Sequence, residues 1–420
     1  MQPTTPRAAR IDRPGAAEPR ARERGIALVF ALFFAIIALG LTVAGTIFVR
    51  AHKEHTQAAF ASHGQAVEFA RSGLVEALGW FRKQTAQPVT GFQPQLDEAA
   101  HPPVLDTAEP EVGIVREFQI SGSLWGRYEV WKDWPADPDA TRLAFRNIVR
   151  CQDISDERGH LSAGSVWRLR SVGYVYRRND EAVPYNQQPN RVVAKEVVET
   201  EIRRLALQPP SYAALCTRVG SNCRVLTRGR VLAGSEGGGI MYYQRTSTTV
   251  PGPSVSGTGS QVTGVPPWAG IDPYNDDYSS VFGVTVDELR GMADSSLADP
   301  NLFPSPIAKD SLVVLDGSIT FTSTRPLSGT GIVVVNGDVT ISPASYSAFS
   351  GLLYINGSLT LREPSELQGA VVVTGAVTVQ GNSDYATITF DDGIVSRLRQ
   401  TLGTYRQASA VTRPWHDDGR

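Results

Sequence analysis

The acidic segment DPYNDD is one of the few places in this sequence where residue types and spacing suggest chemistry. Three carboxylates, Asp272, Asp276 and Asp277, lie in this segment together with the amide of Asn275. Oxygen ligands of this kind suit Ca²⁺, although the spacing differs from that of an EF-hand loop. The same residue types are also typical of an Asx turn. The segment is therefore a weak candidate for a metal site, with an ordinary turn as the alternative.

A catalytic constellation is not evident in the sequence. Glycosidases work with a pair of carboxylates, whereas the positions expected to face outward in the C-terminal repeats described below are mainly Ser and Thr, with Asp338 as the main acid. The glycine-rich stretch GTGIVVVNG lacks the βαβ context of a phosphate loop. We expect no enzymatic activity and no cofactor. Polysaccharide cleavage by Asp338, Asp272 or Asp277 remains a third hypothesis, behind two binding or structural roles given below.

The three cysteines allow one pairing by spacing. Cys216 and Cys223 lie close together in CTRVGSNC, a loop-like segment that could close a small disulfide in an oxidising compartment. Two unpaired thiols are the alternative. Cys151 has no cysteine near it in the sequence and is interpreted as a core residue, and no Cys/His spacing suggests a zinc site.

An uncharged run near the N-terminus predicts a membrane helix. Residues 25–49 carry no charge, and at about 1.5 Å per residue they span the ~30 Å hydrocarbon layer. The run is longer than the apolar core of a cleaved secretory signal, which favours a retained helix. Segment 1–25 carries a net charge of +3 and the remainder −5, which predicts a cytoplasmic N-terminus. The overall charge of −2 gives no indication of a nucleic-acid partner.

The helical pattern continues past the uncharged run. Residues 56–84 contain no proline, and their large apolar residues recur on one face. These residues are Phe60, Val67, Leu74, Leu78 and Phe81. One helix over 26–84, transmembrane over 26–49, is about 90 Å long. A helix of this kind inserts one end in lipid and lays the other against a folded domain.

The sequence RERG followed by IALVFALFFAIIALGLTVAG, and later by GQAVEFARSGLVEAL, resembles the N-terminal region of type IV pilin-like proteins. The resemblance covers the helical N-terminal part of the chain. It is greatest to PilX-type minor pilins and extends to the apex minor pseudopilin of type II secretion. It implies a leader over 1–25, cut by a prepilin peptidase between Gly25 and Ile26, with Ile26 then N-methylated. It also implies an inner-membrane precursor with a single span, and later an extracellular pilus subunit.

One position departs from the pattern of major pilins. They carry Glu at the fifth position of the mature chain, where it neutralises the terminal amine of a neighbouring subunit. Here that position is Phe30. Without the carboxylate, stacked copies would leave amines unpaired in a low-dielectric core. The resemblance therefore implies a low-copy or tip subunit. Its expected partners are other pilins and minor pilins, the prepilin peptidase and the inner-membrane assembly machinery, with a tip adhesin as a further candidate.

Strand-like segments follow a Pro-rich linker over 85–112. Residues 113–207 alternate apolar and polar positions, with many β-branched and aromatic side chains. The segments are IVREFQIS, GRYEVWKD, RLAFRNIVRC, VWRLRSVGYVYRR and RVVAKEVVETEIRRLAL. This alternation predicts an antiparallel sheet with one face in water and the other against the long helix.

Four similar segments repeat in the C-terminal half. Their glycines are Gly317, Gly337, Gly357 and Gly375, which follow one another at intervals of 20, 20 and 18 positions. A fixed period near 20 is typical of a solenoid with one rung per repeat. Each glycine follows a residue expected to stack at a corner and hydrogen-bond along the repeat. These corner residues are Asp316, Asn336, Asn356 and Thr374.

The predicted boundaries of this region are 211–395, with an insertion over 235–309. An earlier copy around Gly229 is expected to start the solenoid. The Gly-, Pro- and Ser-rich insertion contains a predicted capping box, Thr285 with Glu288. A C-terminal capping helix and tail occupy 396–420, and Ile394, Leu398 and Leu402 are expected to cover the open end of the solenoid.

Together these features predict an α+β and β architecture. A long N-terminal helix packs on an antiparallel sheet, and a parallel β-solenoid (β-helix) of ~20-residue rungs follows. The favoured hypothesis is a minor pilin that promotes pilus assembly and presents the solenoid for adhesion or partner binding. The alternatives are a membrane-anchored surface binding protein that never enters a filament, and a minor pseudopilin of type II secretion.

Overall fold

A computed structural model describes residues 21–133, 140–160, 162–245, 250–408 and 413–414. The leader predicted over 1–25 lies outside the described residues up to residue 20. The chain forms two compact units, Met1–Ser62 and His63–Arg420.

The described residues contain five α-helices. They are α1 (Ala21–Lys83), α2 (Ala140–Val149), α3 (Tyr278–Phe282), α4 (Val286–Met292) and α5 (Asp392–Thr401). The capping box predicted for α4 is present, since the Thr285 hydroxyl accepts from the Glu288 N–H and the Glu288 carboxylate accepts from the Thr285 N–H.

The strands of the first half of the chain are β1 (Leu96–Asp97), β2 (Val104–Leu105), β3 (Gly113–Ser121), β4 (Leu124–Trp131), β5 (Gln152–Asp153), β6 (Val166–Arg177) and β7 (Arg191–Arg204). Next come β8 (Ala213–Thr217), β9 (Cys223–Val225), β10 (Gly229–Leu232), β11 (Gly238–Tyr243), β12 (Ser254–Val255), β13 (Gln261–Val262), β14 (Trp268–Ile271) and β15 (Ser295–Leu297).

The repeat region follows with β16 (Ile307–Asp316), β17 (Ile319–Phe321), β18 (Ser328–Asn336), β19 (Val339–Ile341), β20 (Ser347–Ile355), β21 (Leu359–Arg362), β22 (Ser365–Val373), β23 (Val377–Gln380) and β24 (Ala386–Phe390). The chain closes with β25 (Tyr405–Gln407) and β26 (Arg413–Pro414).

An antiparallel sheet forms the first part of the unit His63–Arg420. Its strand order is β25-β7-β6-β4-β3, and β26 and β5 pair with β7 and β6. The C-terminal half of α1 packs on this sheet, and the aromatic core between them contains Phe81, Trp167 and Tyr405. The segment predicted as a linker joins the same core, because Val89 and Phe92 are buried there.

The strand predicted at RLAFRNIVRC is wrong. Residues 140–149 form helix α2, in which Phe145, Ile148 and Val149 pack beside Trp131. Apolar residues three and four positions apart lie on one helical face. In a segment this short the helical period is easily mistaken for strand alternation.

Two parallel sheets contain most of the remaining strands, and β1 pairs with β2 in a small antiparallel sheet. The fold is therefore mixed α/β with antiparallel and parallel sheets. The larger parallel sheet has eleven strands along the order β13-β10-β24-β22-β20-β18-β16-β15, with β8, β11 and β14 joined to it through β22. The smaller has six, in the order β12-β9-β23-β21-β19-β17.

The strand register follows the sequence repeat. Val335 of β18 lies opposite Leu315 of β16 and Ile355 of β20, and Ile355 lies opposite Val373 of β22. In the smaller sheet Thr320, Thr340 and Thr360 align in the same way. Each pairing joins equivalent positions of successive repeats. The paired residues are therefore as far apart in the sequence as the corner glycines are.

The copy around Gly229 pairs at a different place from the one expected. Strands β9 and β10 pair with β23 and β24, the last strands of the repeat, rather than with β16 or β17. Within residues 235–309, β11 and β14 extend the larger sheet beyond β8, and β15 pairs with β16. Much of that segment therefore adds strands to the parallel sheets.

Helices shield the larger parallel sheet. Tyr278 and Phe282 of α3 pack on Tyr354 of β20. Helix α5 contacts β20 and β22, which are interior strands, and it buries Val395 and Leu398. Strand runs such as Leu312–Leu315 are buried throughout, as expected for parallel strands covered on both faces.

Candidate functional site

The residues of the predicted processing site lie in the first turns of α1. The structure describes the helical backbone of Gly25, Ile26 and Phe30, and their side chains lie outside the described residues. From Leu32 to Arg50 the helix is long and apolar enough to cross a membrane, and none of this segment is buried inside the protein. It is the one such helix in the described part of the chain.

The second half of α1 has a contact face made of small residues. Ala66, Ala70 and Ala77 are fully buried. A Cβ at Gly73 would lie 2.3 Å from the Ser171 hydroxyl, and a Cβ at Gly173 would lie 1.9 Å from the Ala66 carbonyl oxygen. Since these distances leave no room for a methyl group, helix and sheet approach each other closely where these small residues meet.

The large apolar residues that were expected to form the buried face of α1 are only partly buried. Leu74 and Phe81 are buried, and Val67 and Leu78 are partly buried. Phe60 is 73% exposed. Sequence reasoning weighted residue size and therefore missed the small residues. The signal that identifies them is the Ala/Gly spacing 66, 70, 73, 77, which is itself helical.

Polar contacts fix the helix on the sheet. The Glu76 carboxylate accepts from Tyr128 Oη at 2.5 Å and from an Arg116 Nη at 2.7 Å. At the end of the helix Arg82 Nε donates to the Tyr405 carbonyl at 2.8 Å. These bonds connect α1 with β3, β4 and β25.

The predicted corner residues lie at the ends of repeat strands and in the turns that follow. Asn336 Nδ2 donates to Asp316 Oδ1 at 2.7 Å, and the Thr374 hydroxyl donates to Asn356 Oδ1 at 3.1 Å. The Tyr278 hydroxyl, from α3, donates to Asn336 Oδ1. The four residues of this corner column are therefore hydrogen-bonded in two pairs, and the first pair also binds helix α3.

An ion pair closes one end of the corner column. Arg290 of α4 binds Asp316 with both Nε and Nη, at 2.8 and 2.7 Å. Hydrogen bonds from Arg290, and then from Asn336, hold the pKa of Asp316 below its usual value despite partial burial. The carboxylate is thereby committed to a structural contact.

The corner glycines are required by close packing. A Cβ at Gly357 would lie 2.3 Å from the Gly337 carbonyl oxygen, and one at Gly375 would lie 2.6 Å from that of Gly357. At Gly317 the backbone itself has φ of 135°, in the region that favours glycine.

A second glycine column was missed in the sequence. Gly331, Gly351 and Gly369 align across β18, β20 and β22. A Cβ at Gly351 would lie 1.9 Å from the Gly331 carbonyl oxygen. The same periodicity that identified the corner glycines would have identified this column.

The candidate catalytic and metal-binding acids make structural contacts. Asp338 Oδ1 accepts from the Ser358 N–H at 2.8 Å, in the next repeat. Asp276 is buried and bound by Arg218 at 2.8 and 2.9 Å. Asp277 caps α3 by accepting from the Ser280 N–H at 3.0 Å. Burial would raise the pKa of Asp277, but hydrogen bonds from Ser279 and Ser280 hold it below its usual value.

The other two members of the acidic segment are exposed. Asp272 and Asn275 lie at the surface. Within the described ranges no three His, Cys, Asp or Glu side chains come together in a group that could hold a metal ion.

The cysteines lie in the core. Cys216 is in β8 of the larger parallel sheet and Cys223 in β9 of the smaller one, and both are free thiols, as is Cys151. The disulfide suggested by their spacing is not formed in the structure. Burial raises the pKa of each of the three thiols to about 12, so they behave as apolar core groups.

Comparison with known proteins gives one weak structural match. The competence-associated pilin ComZ from Thermus thermophilus aligns over 85% of this chain and 97% of its own, at 12% identity and a TM-score of 0.19. A score this low does not establish a shared fold. Neither the protein-family models nor the curated proteins give a match.

Proposed function

We propose that this chain is a minor pilin of a type IV pilus, of the PilX type, cut between Gly25 and Ile26. The observation that carries the proposal is the single continuous helix α1. Its segment Leu32–Arg50 offers an apolar surface to lipid or to other helices, while its C-terminal part is buried in the antiparallel sheet. A subunit built this way can pass from a membrane into a helical bundle without refolding.

Apolar packing provides the driving force for assembly. The exposed side chains of the first unit include Leu32, Phe33, Ile36, Leu39 and Leu41, each more than half accessible. Covering such a surface is favourable by about 25 cal/mol per Å² relative to water. When the helix leaves lipid rather than water, this hydrophobic gain is smaller because the lipid tails are themselves apolar. Close van der Waals packing against the helices of neighbouring pilins then contributes to the free energy of assembly.

The tip location and low copy number rest on Phe30. In this proposal a filament core that lacks the fifth-position carboxylate cannot neutralise the amine of the next identical subunit. The chain therefore occupies an end position, and the prepilin peptidase, the inner-membrane assembly machinery and other minor pilins are its partners.

The parallel sheets supply the presented head. Strands one repeat apart pair in parallel, and the two sheets alternate along the chain from β16 to β23. We interpret this arrangement as a β-solenoid that projects from the filament for adhesion or partner binding. Asp338 and Asp277 each accept a backbone hydrogen bond and Asp276 is paired with Arg218, which supports a proposal without catalysis.

Recovery from sheared filaments tests the assembly claim. The chain is expected in the sheared extracellular fraction, and Gly25→Val is expected to retain it in the membrane fraction. Gly45→Val, in the same apolar segment where an added Cβ meets nothing within 4 Å, is the matched control and should behave as wild type. A wild-type chain confined to the membrane would favour the alternative, an anchored surface binding protein. Recovery with a secretion pseudopilus would favour the type II minor pseudopilin.

A further inference from the structure

A cavity of about 630 Å³ opens on the antiparallel sheet. Its floor is the face opposite α1: Tyr128 points to Glu76 of the helix, so its neighbours Arg127 and Glu129 point the other way. Helix α2 and the loop between β6 and β7 provide walls, through Phe145 and Tyr185. All of its lining residues belong to the unit His63–Arg420, and its function is independent of the assembly proposal.

The cavity has an excess of negative charge. Glu109, Glu111 and Glu129 line it, against the two cations Arg127 and Lys195. Arg127 is 3% exposed and fully engaged. It binds Glu109 through two Nη atoms, at 2.7 and 2.8 Å, and Glu129 through Nε at 2.6 Å. Its charge is therefore neutralised inside the protein and is not offered to a ligand.

Aromatic rings form the apolar part of the lining. Trp131 and Phe145 meet edge to face with centroids 5.4 Å apart, and Tyr174 and Tyr185 meet at 5.0 Å. The Lys195 ammonium lies 3.8 Å from the centre of the Phe145 ring. The protein thus already seats a cation against this wall, in the geometry of a cation–π contact.

We propose that this cavity binds a cationic group, a guanidinium, amidinium or ammonium, carried on an apolar or aromatic body. The aromatic rings contact the body, and the cation takes the place of the Lys195 ammonium against Phe145, in a cavity that Glu111 also lines. With a volume of about 630 Å³, the cavity is larger than a lysine head group. A free small cation and a projecting arginine side chain of a partner protein share this chemistry.

Calorimetric titration of the full-length chain in neutral detergent tests the site. The probe is benzamidine, and benzamide is its uncharged counterpart of the same shape. We expect benzamidine to bind at least about tenfold more tightly, since only the amidinium gains from the carboxylates and the ring faces.

Two variants sharpen the test without touching the sheet core. Lys195→Met removes the resident ammonium and is expected to tighten benzamidine binding by about fivefold. Glu111→Gln, at an exposed lining position, is expected to weaken it by about threefold. Lys309→Met and Glu98→Gln, at exposed positions elsewhere, are matched controls and should leave the affinity unchanged.

Equal binding of benzamidine and benzamide, or binding of neither, would overturn the proposal. So would a Lys195→Met affinity equal to that of wild type, with the fold verified by circular dichroism. A neutral oligosaccharide such as maltotriose that binds more tightly than benzamidine would mark a sugar site instead. Nα-acetyl-arginine methylamide separates the two supported sources: tighter binding than benzamidine points to a partner's arginine, and weaker binding to a free small cation.

Discussion

Asp316 is a residue of the sequence repeat that also forms an ion pair in the structure. It was identified as a corner residue from the repeat, and the structure adds its ion pair with Arg290. Because its pKa in the folded chain is lowered by that partner, Asp316 stabilises the fold above its unfolded-state pKa, near 3.8. This contribution is lost as the pH falls through the folded-state pKa.

Asp316→Asn should therefore lower the thermal midpoint by about 1–2 °C at pH 5–8, and the difference from wild type should shrink below about pH 4. Thermal unfolding followed by circular dichroism at pH 7, 5, 4 and 3 measures this. Asp287→Asn, which removes the 85% exposed partner of the same Arg290, is the control and should have almost no effect. A difference that stays constant down to pH 3 would show that the carboxylate charge is not what matters.

Gly351 gives a second residue-scale prediction. Gly351→Ala places a methyl group 1.9 Å from a backbone oxygen of the neighbouring strand, so the two strands must separate. We expect a loss of more than about 2 kcal/mol in the free energy of unfolding, measured with urea. Gly234→Ala, where nothing lies within 4 Å of the added Cβ, should change it by less than about 0.5 kcal/mol. Similar losses for both variants would contradict the close-packing argument.

At the scale of elements, helix α1 and the antiparallel sheet depend on the small residues between them. Gly173→Ala directs a methyl group at the Ala66 carbonyl oxygen, 1.9 Å away. The helix must lift from the sheet, and we expect a loss of at least about 2 kcal/mol in urea unfolding.

Gly64→Ala and Gly79→Ala are the matched helical controls for this prediction. An added Cβ meets nothing within 4 Å at either position. Since alanine is favoured over glycine in a helix, each should stabilise the chain by up to about 1 kcal/mol. If Gly173→Ala were as harmless as these controls, the contact face assigned to α1 would be wrong.

The sequence allowed the long helix and the repeat to be predicted because each has a regular period. Residues 26–84 keep a helical period, and the corner glycines recur at nearly constant intervals. Helix α2 was mistaken for a strand, since a segment this short does not separate the two periods. The pairing of β9 with β23 joins Cys223 to Val377, and no local pattern encodes a contact between such distant parts of the chain.

The candidate sites also differ in whether a local sequence pattern could predict them. The processing junction predicted at Gly25 and Ile26 is continuous in the sequence, and it stays a prediction. The acidic, aromatic cavity draws Glu111, Glu129, Phe145 and Lys195 from four separate parts of the chain. The one local signal for this cavity is the spacing of Glu129 and Trp131, which lie two positions apart on β4 and therefore on the same face of the sheet.

At the scale of the whole molecule, the proposed function makes the fifth position of the mature chain, Phe30, the residue that limits how many copies enter a filament. Phe30→Glu supplies the carboxylate that major pilins carry, which can pair with the amine of a neighbouring subunit. We expect a higher ratio of this chain to the major subunit in sheared filaments, by about twofold or more. Quantitative immunoblotting measures this ratio.

Phe34→Glu is the control for that change, at an exposed position one helical turn further along α1. It places the same charge where no amine is expected, so incorporation should fall or stay unchanged. An equal rise for both variants, or no rise for Phe30→Glu, would remove the basis for the tip location.

If α1 is the helix of a processed pilin, the mature chain begins inside it, and the mass of the N-terminal peptide shows where. The chain is purified from cells that contain a prepilin peptidase and analysed by mass spectrometry. We expect a chain that begins at Ile26 and carries one added methyl group on its terminal amine. A mature chain that still begins at Met1 would contradict it.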